Sequence, residues 1–356
     1  MGRESLSSLE AALALSASTG VRFAWNDYRR RSKGPPGFCE PESRAIRLMA
    51  EICGARVSGG AAGETRISFE PGPPRAGSYR VELEGAEPLL SLVRAAAVPL
   101  ALAEGESELI AVGATHGPEG DTFEVSSSTW LYWMKRIGVA LELHLDRVGF
   151  APRGQGELRL AVSGLERPAS GIDLRARGKL ETLQIVSTGA AVPTHVLQRQ
   201  AARARSGVSI AEVPPTVQLL ELSGRSAGSA VAVTGIFGGA PVTVAEIASR
   251  GISAESVGER AAVEFRRALA SRAMLPSCLV EAFLIASSVP SQRSCLTATR
   301  LPSNVHHLSE LVRRFTGREV RVEGKPREPG AVLVSAPGCT GPARDLILDV
   351  TQPRSN

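Results

Sequence analysis

Aromatic side chains are scarce, with Phe, Trp and Tyr making up 4% of the 356 residues. Val, Leu, Ile and Ala abound instead, so the core is expected to be built from aliphatic side chains. Cysteine is sparse too. The five residues Cys39, Cys53, Cys278, Cys295 and Cys339 are odd in number and form no CxxC pair. That pattern argues against a disulfide framework and against a zinc site. Long apolar runs are also missing: the stretch 89–103 is broken by Arg94 and Pro99, so no membrane span is expected. The amino terminus lacks a signal-peptide core. Together these absences predict a cytoplasmic chain with reduced thiols.

The hydrophobic content of 43% excludes wholesale disorder, and the length suits two or three domains. A formal charge of +5 fits a polyanionic partner, though solvated basic faces give the same balance.

An internal repeat organises the chain. Segments 42–54, 123–138 and 304–317 are amphipathic and close on Gly54, Gly138 and Gly317. Each runs straight into an alternating strand, at 55–57, 139–145 and 318–322. A glycine just past the last turn takes the left-handed conformation that ends a helix. Gly138 follows Gly54 by 84 residues, and Gly317 follows Gly138 by 179, one such period and 95 more. An insertion over 180–274 supplies those 95. A more apolar helix opens each unit, at 8–19, 88–103 and 277–289, and a strand follows at 21–25, 108–113 and 294–300.

The expected fold class is therefore α/β of the α+β kind. Three helix-strand-helix-strand-strand units occupy 1–179 and 275–350, and a smaller α/β domain is inserted at 180–274. Within the insert, strands are expected at 183–188, 216–222 and 229–237, and helices at 193–204 and 254–271.

Several local strings then acquire meaning from their order. They are Ala12-Leu13-Ala14-Leu15-Ser16, Arg31-Ser32-Lys33, Ala50-Glu51-Ile52-Cys53-Gly54-Ala55 and Gly113-Ala114-Thr115-His116. Further on come Arg153-Gly154-Gln155-Gly156-Glu157, Ala254-Glu255-Ser256-Val257-Gly258 and Ser303-Asn304. With the repeat and insert, the chain resembles the RNA 3′-terminal phosphate cyclase family over nearly its whole length. The resemblance implies three units like the C-terminal fold of translation initiation factor 3, with the insert in the third. It also implies a reaction. With ATP and Mg, a family histidine attacks the α-phosphate to form a covalent adenylate, AMP passes to an RNA 3′-phosphate, and the 2′-hydroxyl displaces it to leave a 2′,3′-cyclic end. Imidazole suits this role as a nucleophile that is neutral near pH 7.

The pocket departs from that pattern. The family's His-Leu-x-Thr-Asn stretch corresponds to Arg300-Leu301-Pro302-Ser303-Asn304, so Arg300 stands at the nucleophile position. A guanidinium stays protonated and cannot attack ATP, although its planar fork suits a phosphate. The family's glycine-rich Glu-Gly-Gly-Gly-Gln loop becomes Arg3-Glu4-Ser5-Leu6-Ser7, and a following arginine becomes Leu9 or Glu10. A pocket glutamine becomes Arg94, and a His-Leu-Ala-Asp-Gln stretch becomes Cys278-Leu279-Val280-Glu281-Ala282. His306 and His307 fall in the next helix, one expected core-facing or capping and the other exposed. His116 reads equally as a satisfied strand-end histidine or a ligand.

The remaining nucleic-acid signal is basic. Arg29, Arg30, Arg31 and Lys33 precede a Gly-Pro-Pro-Gly turn, with Arg153 and Arg300 as further phosphate contacts. Trp25 and Tyr28 beside them are candidates to stack on a base, against a reading that keeps Trp25 in the core. The favoured function is a non-catalytic, RNA-binding cyclase-like protein of RNA processing or assembly, with no catalytic residue, metal or cofactor of its own. The alternatives are an active cyclase using ATP and Mg, and a divergent enzyme reusing the cleft. RNA is the suspected partner, no membrane is implied, and a protein partner or homodimer is left open.

Overall fold

The computed structural model describes residues 3–29, 35–85, 87, 89–165, 168–175, 177–208, 210, 212–337 and 345–349. The first unit comprises α1 (Arg3–Thr19), β1 (Arg22–Asn26), α2 (Glu40–Cys53), β2 (Arg56–Gly59) and β3 (Ile67–Glu70). The strand β4 (Ser78–Glu82) leads into α3 (Leu89–Leu102) and β5 (Glu106–Gly113) of the second unit. Next come a short α4 (Phe123–Val125), a π-helical turn (Ser126–Trp130), α5 (Leu131–Ile137), β6 (Ala140–Arg147) and β7 (Gly156–Ser163). The third unit holds α8 (Val280–Ala286), β12 (Ser294–Ala298), α9 (Val305–Thr316), β13 (Val320–Glu323) and β14 (Gly330–Val334), and β15 (Asp345–Asp349) follows. Between the second and third units lie β8 (Leu180–Ala190), α6 (Thr194–Gly207), β9 (Thr216–Glu221), β10 (Gly228–Phe237), β11 (Ala240–Ile247) and α7 (Ala254–Ser271).

The three glycines occupy equivalent settings. Gly54, Gly138 and Gly317 cap α2, α5 and α9 with φ of 56°, 108° and 69°, a region a Cβ would disfavour. The sheets repeat as well. Their orders are β15-β1-β3-β2, β4-β5-β7-β6 and β12-β14-β13, so the first, third and second strands of each unit lie side by side in that order. Each unit then hands a strand onward. β4 lies parallel on β5, and β15 lies parallel on β1. After the second unit, Asp173 bridges Cys295 of β12 in parallel, with Cys295 N donating to Ile172 O at 2.7 Å and Leu174 N to Cys295 O at 2.8 Å. The three units thus close into a ring.

At its centre, α1, α3 and α8 pack on one another. Residues 8–17 of α1 are all buried, as is α3 from 89 to 101 apart from Ser91. Helices that are apolar on every side need such a central position, and each fully buried Leu contributes about 2 kcal/mol of transfer free energy. The fourth sheet, β11-β10-β8-β9, is mixed: β8 pairs antiparallel with β10 and parallel with β9. The helices α6 and α7 pack together and against it.

Residues 3–7, which align with the family's glycine-rich loop, begin α1, since without glycines they have no reason to leave the helix. One expectation needs correction. Trp25 and Tyr28 are 3% and 1% exposed, so neither presents a face to a base. Their rings meet edge to face at 5.1 Å, and Tyr28 stacks on Phe38 at 4.3 Å, because β1 alternates and turns Phe23 and Trp25 inward.

Candidate functional site

A cleft of about 390 Å³ opens beside the junction of the central helices. α3 supplies Ser91 and Arg94, the loop before α4 supplies Glu119 and Asp121, and the turn leading into α8 with its first turn supplies Ser277, Cys278 and Glu281. The turn before α9 supplies residues 300–304, and the loop between β13 and β14 supplies Arg327. Two backbone hydrogen bonds of 2.8 Å, Leu301 N to Glu328 O and Arg327 N to Leu301 O, fasten that turn to that loop. They set Arg300 and Arg327 on one rim.

The floor is buried and charged. Arg94, 2% exposed, donates to Asp121 Oδ1 and Ser126 Oγ, both at 2.8 Å. Burial opposes its charge, but Asp121 outweighs burial and holds the guanidinium protonated. Behind Ser91 lies Glu10, fully buried, accepting from Ser91 Oγ at 2.5 Å, while its Oε1 makes no hydrogen bond. Burial, reinforced by the Glu281 charge, raises its pKa well above the usual carboxylate value, so burial here disfavours its charged form. Arg300 is partly exposed and meets Glu264 of α7 at 3.2 Å. Three arginines therefore face Glu119, Asp121 and Glu281, and the cleft is mixed in charge rather than uniformly basic.

Of the residues singled out in the sequence, the structure brings Arg300, Arg94, Cys278 and Glu281 to this cleft, with Glu10 behind it. Arg29 lies elsewhere, ion-paired at 2.5 Å with buried Glu42 and 5.5 Å from the Tyr28 ring centroid. Glu42 also accepts from Tyr28 OH at 2.6 Å and Cys39 N at 2.8 Å. Arg30, Arg31 and Lys33 lie outside the described residues. Arg153 is exposed in the turn between β6 and β7 and does not line the cleft.

All five histidines are described, and none lines the cleft. His306 and His307 are both exposed, whereas one was expected to be core-facing or capping. The buried stripe of α9 is Val305, Leu308, Leu311, Val312 and Phe315, and positions 306 and 307 fall off it. His116 is fully buried, 2.9 Å from Thr115 Oγ1 and 3.0 Å from Glu124, with its ring 4.8 Å from Phe150. Glu124 also accepts from Thr188 Oγ1 of β8 at 2.8 Å. Burial pushes Glu124 up, but the His116 charge and these hydrogen bonds outweigh it and bring it to about 2. This network ties the second unit to the fourth sheet.

Sequence reasoning missed Glu264 and Arg327. Neither belongs to a motif, since a partner 36 residues upstream of Arg300 is defined only by the packing of α7. No cluster of three or more His, Cys, Asp or Glu among the described residues is arranged to hold a metal, and no described helix is long and apolar enough to cross a membrane.

Comparison with known proteins matches this arrangement to one family. The model of RNA 3′-terminal phosphate cyclase matches residues 1–322. A Methylococcus capsulatus protein named RNA 3′-terminal phosphate cyclase is 30% identical over 337 residues, 93% of this chain and 92% of its own length. Proteins of the same name from Salmonella enteritidis and Gloeothece citriformis are 30% and 28% identical, covering 86% and 85% of this chain and 89% of their own lengths. The chain belongs to the RNA 3′-terminal phosphate cyclase family.

Proposed function

We propose that this family member no longer performs adenylate transfer and binds RNA ends without turnover, as an RNA-processing or assembly protein of the cytoplasm. The observation that carries the reading is Arg300, at the position where the resemblance expects the nucleophile, ion-paired to Glu264 in a cleft lined by no histidine. A permanently protonated guanidinium has no lone pair to offer ATP. It retains the donors and charge that a terminal phosphate needs, and Arg327 stands on the same rim. Residues 180–274 act in this reading as an inserted domain that supplies Glu264 as the rim's counter-charge.

The fit to ATP and Mg is poor among the described residues. The cleft has no imidazole, its Asp121 is spent on Arg94, and no metal-holding cluster is present among the described residues. No step is therefore derived through either group.

An active cyclase is the second reading, favoured by the relatives' names and by 30% identity across 93% of the chain. One experiment separates the two. Incubated with α-labelled ATP and Mg, the purified protein is expected to carry no covalent label and to leave RNA 3′-phosphate ends uncyclised. The same RNA is expected to bind, with affinity falling by about one log unit per log unit of salt for each phosphate contact. Arg300→His alone is expected to restore nothing, because the amino-terminal residues, Arg94 and Cys278 differ from the family pattern too. A labelled wild-type protein would overturn the proposal, and so would RNA binding indifferent to salt.

A further inference from the structure

The fourth sheet has two edges in different states. At the β11 edge, Thr243 N donates to Thr129 Oγ1 and Thr243 Oγ1 pairs with Ser128 Oγ, so the π-helical turn covers it. The other edge, β9, pairs only with β8. Its sequence Thr-Val-Gln-Leu-Leu-Glu holds no lysine and no proline, the devices that usually keep an edge strand from pairing with another chain. Val217 and Leu219 are 41% and 37% exposed, two of the five exposed large hydrophobics among the described residues. Both line an apolar groove of about 460 Å³ between β9 and α6, with Ala201 and Ala202 opposite.

The charges say what fits there. Arg199 and Arg203 of α6 pair with Glu255 and Glu259 of α7. Arg205 is exposed, forms no ion pair among the described residues and lines the groove near Val217. At the opposite end of β9, exposed Glu221 accepts from Thr194 Oγ1 at the start of α6. A basic end and an acidic end on one strand are self-complementary under a two-fold axis.

We infer that β9 pairs antiparallel with β9 of a second copy of this chain, forming a dimer through one continuous sheet. The register follows from the alternation. Val217, Leu219 and Glu221 share the α6 face, and directly opposed residues of an antiparallel pair point to the same face. Centring the axis on Leu219 satisfies both conditions. It sets Leu219 against Leu219 of the second copy, and Val217 against Glu221 of the second copy, beside Arg205. The two grooves merge, the two Leu219 side chains cover each other, and each Val217 lies diagonally beside Leu219 of the second copy. Five paired residues a side, 217–221, bury less than a standard interface, so the dimer is reversible and of micromolar strength.

Sedimentation velocity on the full chain across the micromolar range tests this. The wild type is expected to move from monomer to dimer as concentration rises, and Leu219→Lys to remain monomeric. Arg205→Glu and Glu221→Arg are each expected to weaken the dimer by about tenfold, and the double variant R205E/E221R to recover it, since the exchanged charges still meet. All three sites are exposed or half-exposed, and a thermal melt confirms that each variant is folded. The exchange pair answers independently if Leu219→Lys is not. A wild type that stays monomeric throughout overturns the inference. So does a dimer untouched by Leu219→Lys, or a double variant no stronger than the singles.

Discussion

Glu10 is a carboxyl group placed where charge is hard to keep. Its folded pKa stands above the unfolded value, raised first by burial and then by Glu281. The stability it contributes is therefore full at low pH and is lost as pH rises beyond the ordinary carboxylate range. Glu10→Gln keeps an acceptor for Ser91 Oγ and removes the ionisation. The variant is expected to match the wild type near pH 4 and to melt higher at pH 8, with the difference in Tm growing between them. A difference independent of pH would show that Glu10 stays charged. The residue also marks the limit of sequence reading. Its neighbourhood was located to Leu9 or Glu10, yet its raised pKa depends on burial and on Glu281, set only when three helices pack. Arg300 was legible because Ser303-Asn304 fixed its register, whereas its partner Glu264 was not.

Helix ends carried more of the fold than helix interiors did. Gly54, Gly138 and Gly317 were visible as a repeat interrupted by one insertion, and all three adopt positive φ. Gly138→Ala and Gly317→Ala are each expected to destabilise the chain by about 1 kcal/mol, the cost of a Cβ in the left-handed region, read as a lower urea midpoint at unchanged slope. No shift at either site would mean that these glycines are not required for capping. The element that escaped notice is β11. Its signal was present: Gly238 and Gly239, with φ of 58° and 80°, form the two-residue turn between β10 and β11. Pro241 near the start of that strand masked it, since proline ordinarily argues against a strand. The π-helical turn had no sequence signal, because it is settled by Ser128 and Thr129 engaging Thr243.

Across the whole molecule, the second unit and the fourth sheet are joined by polar contacts as well as by packing. Glu124 holds His116 on one side and Thr188 on the other, with its pKa lowered to about 2. A depressed folded pKa contributes stability that is present above the ordinary carboxylate range and is lost as pH falls from there towards 2. Acid unfolding is accordingly expected to begin at this junction, followed by the fluorescence of Trp130, fully buried six residues beyond Glu124. Glu124→Gln is expected to be less stable at pH 7 and to show a flatter decline from pH 5 to pH 2. A wild-type decline that the variant reproduces unchanged would place the acid-sensitive contact elsewhere.

The closed ring also bears on the order in which the protein can be finished. β1 is synthesised long before its parallel neighbour β15, about 320 residues further along the chain. Throughout synthesis the first sheet lacks one edge strand, while β5 receives β4 almost at once. Closing so long a loop adds little entropy beyond a shorter one, but the search for so distant a contact is slow. The first sheet is therefore begun long before it is completed, and a nascent chain carries an uncovered edge on β1 until residues 345–349 arrive.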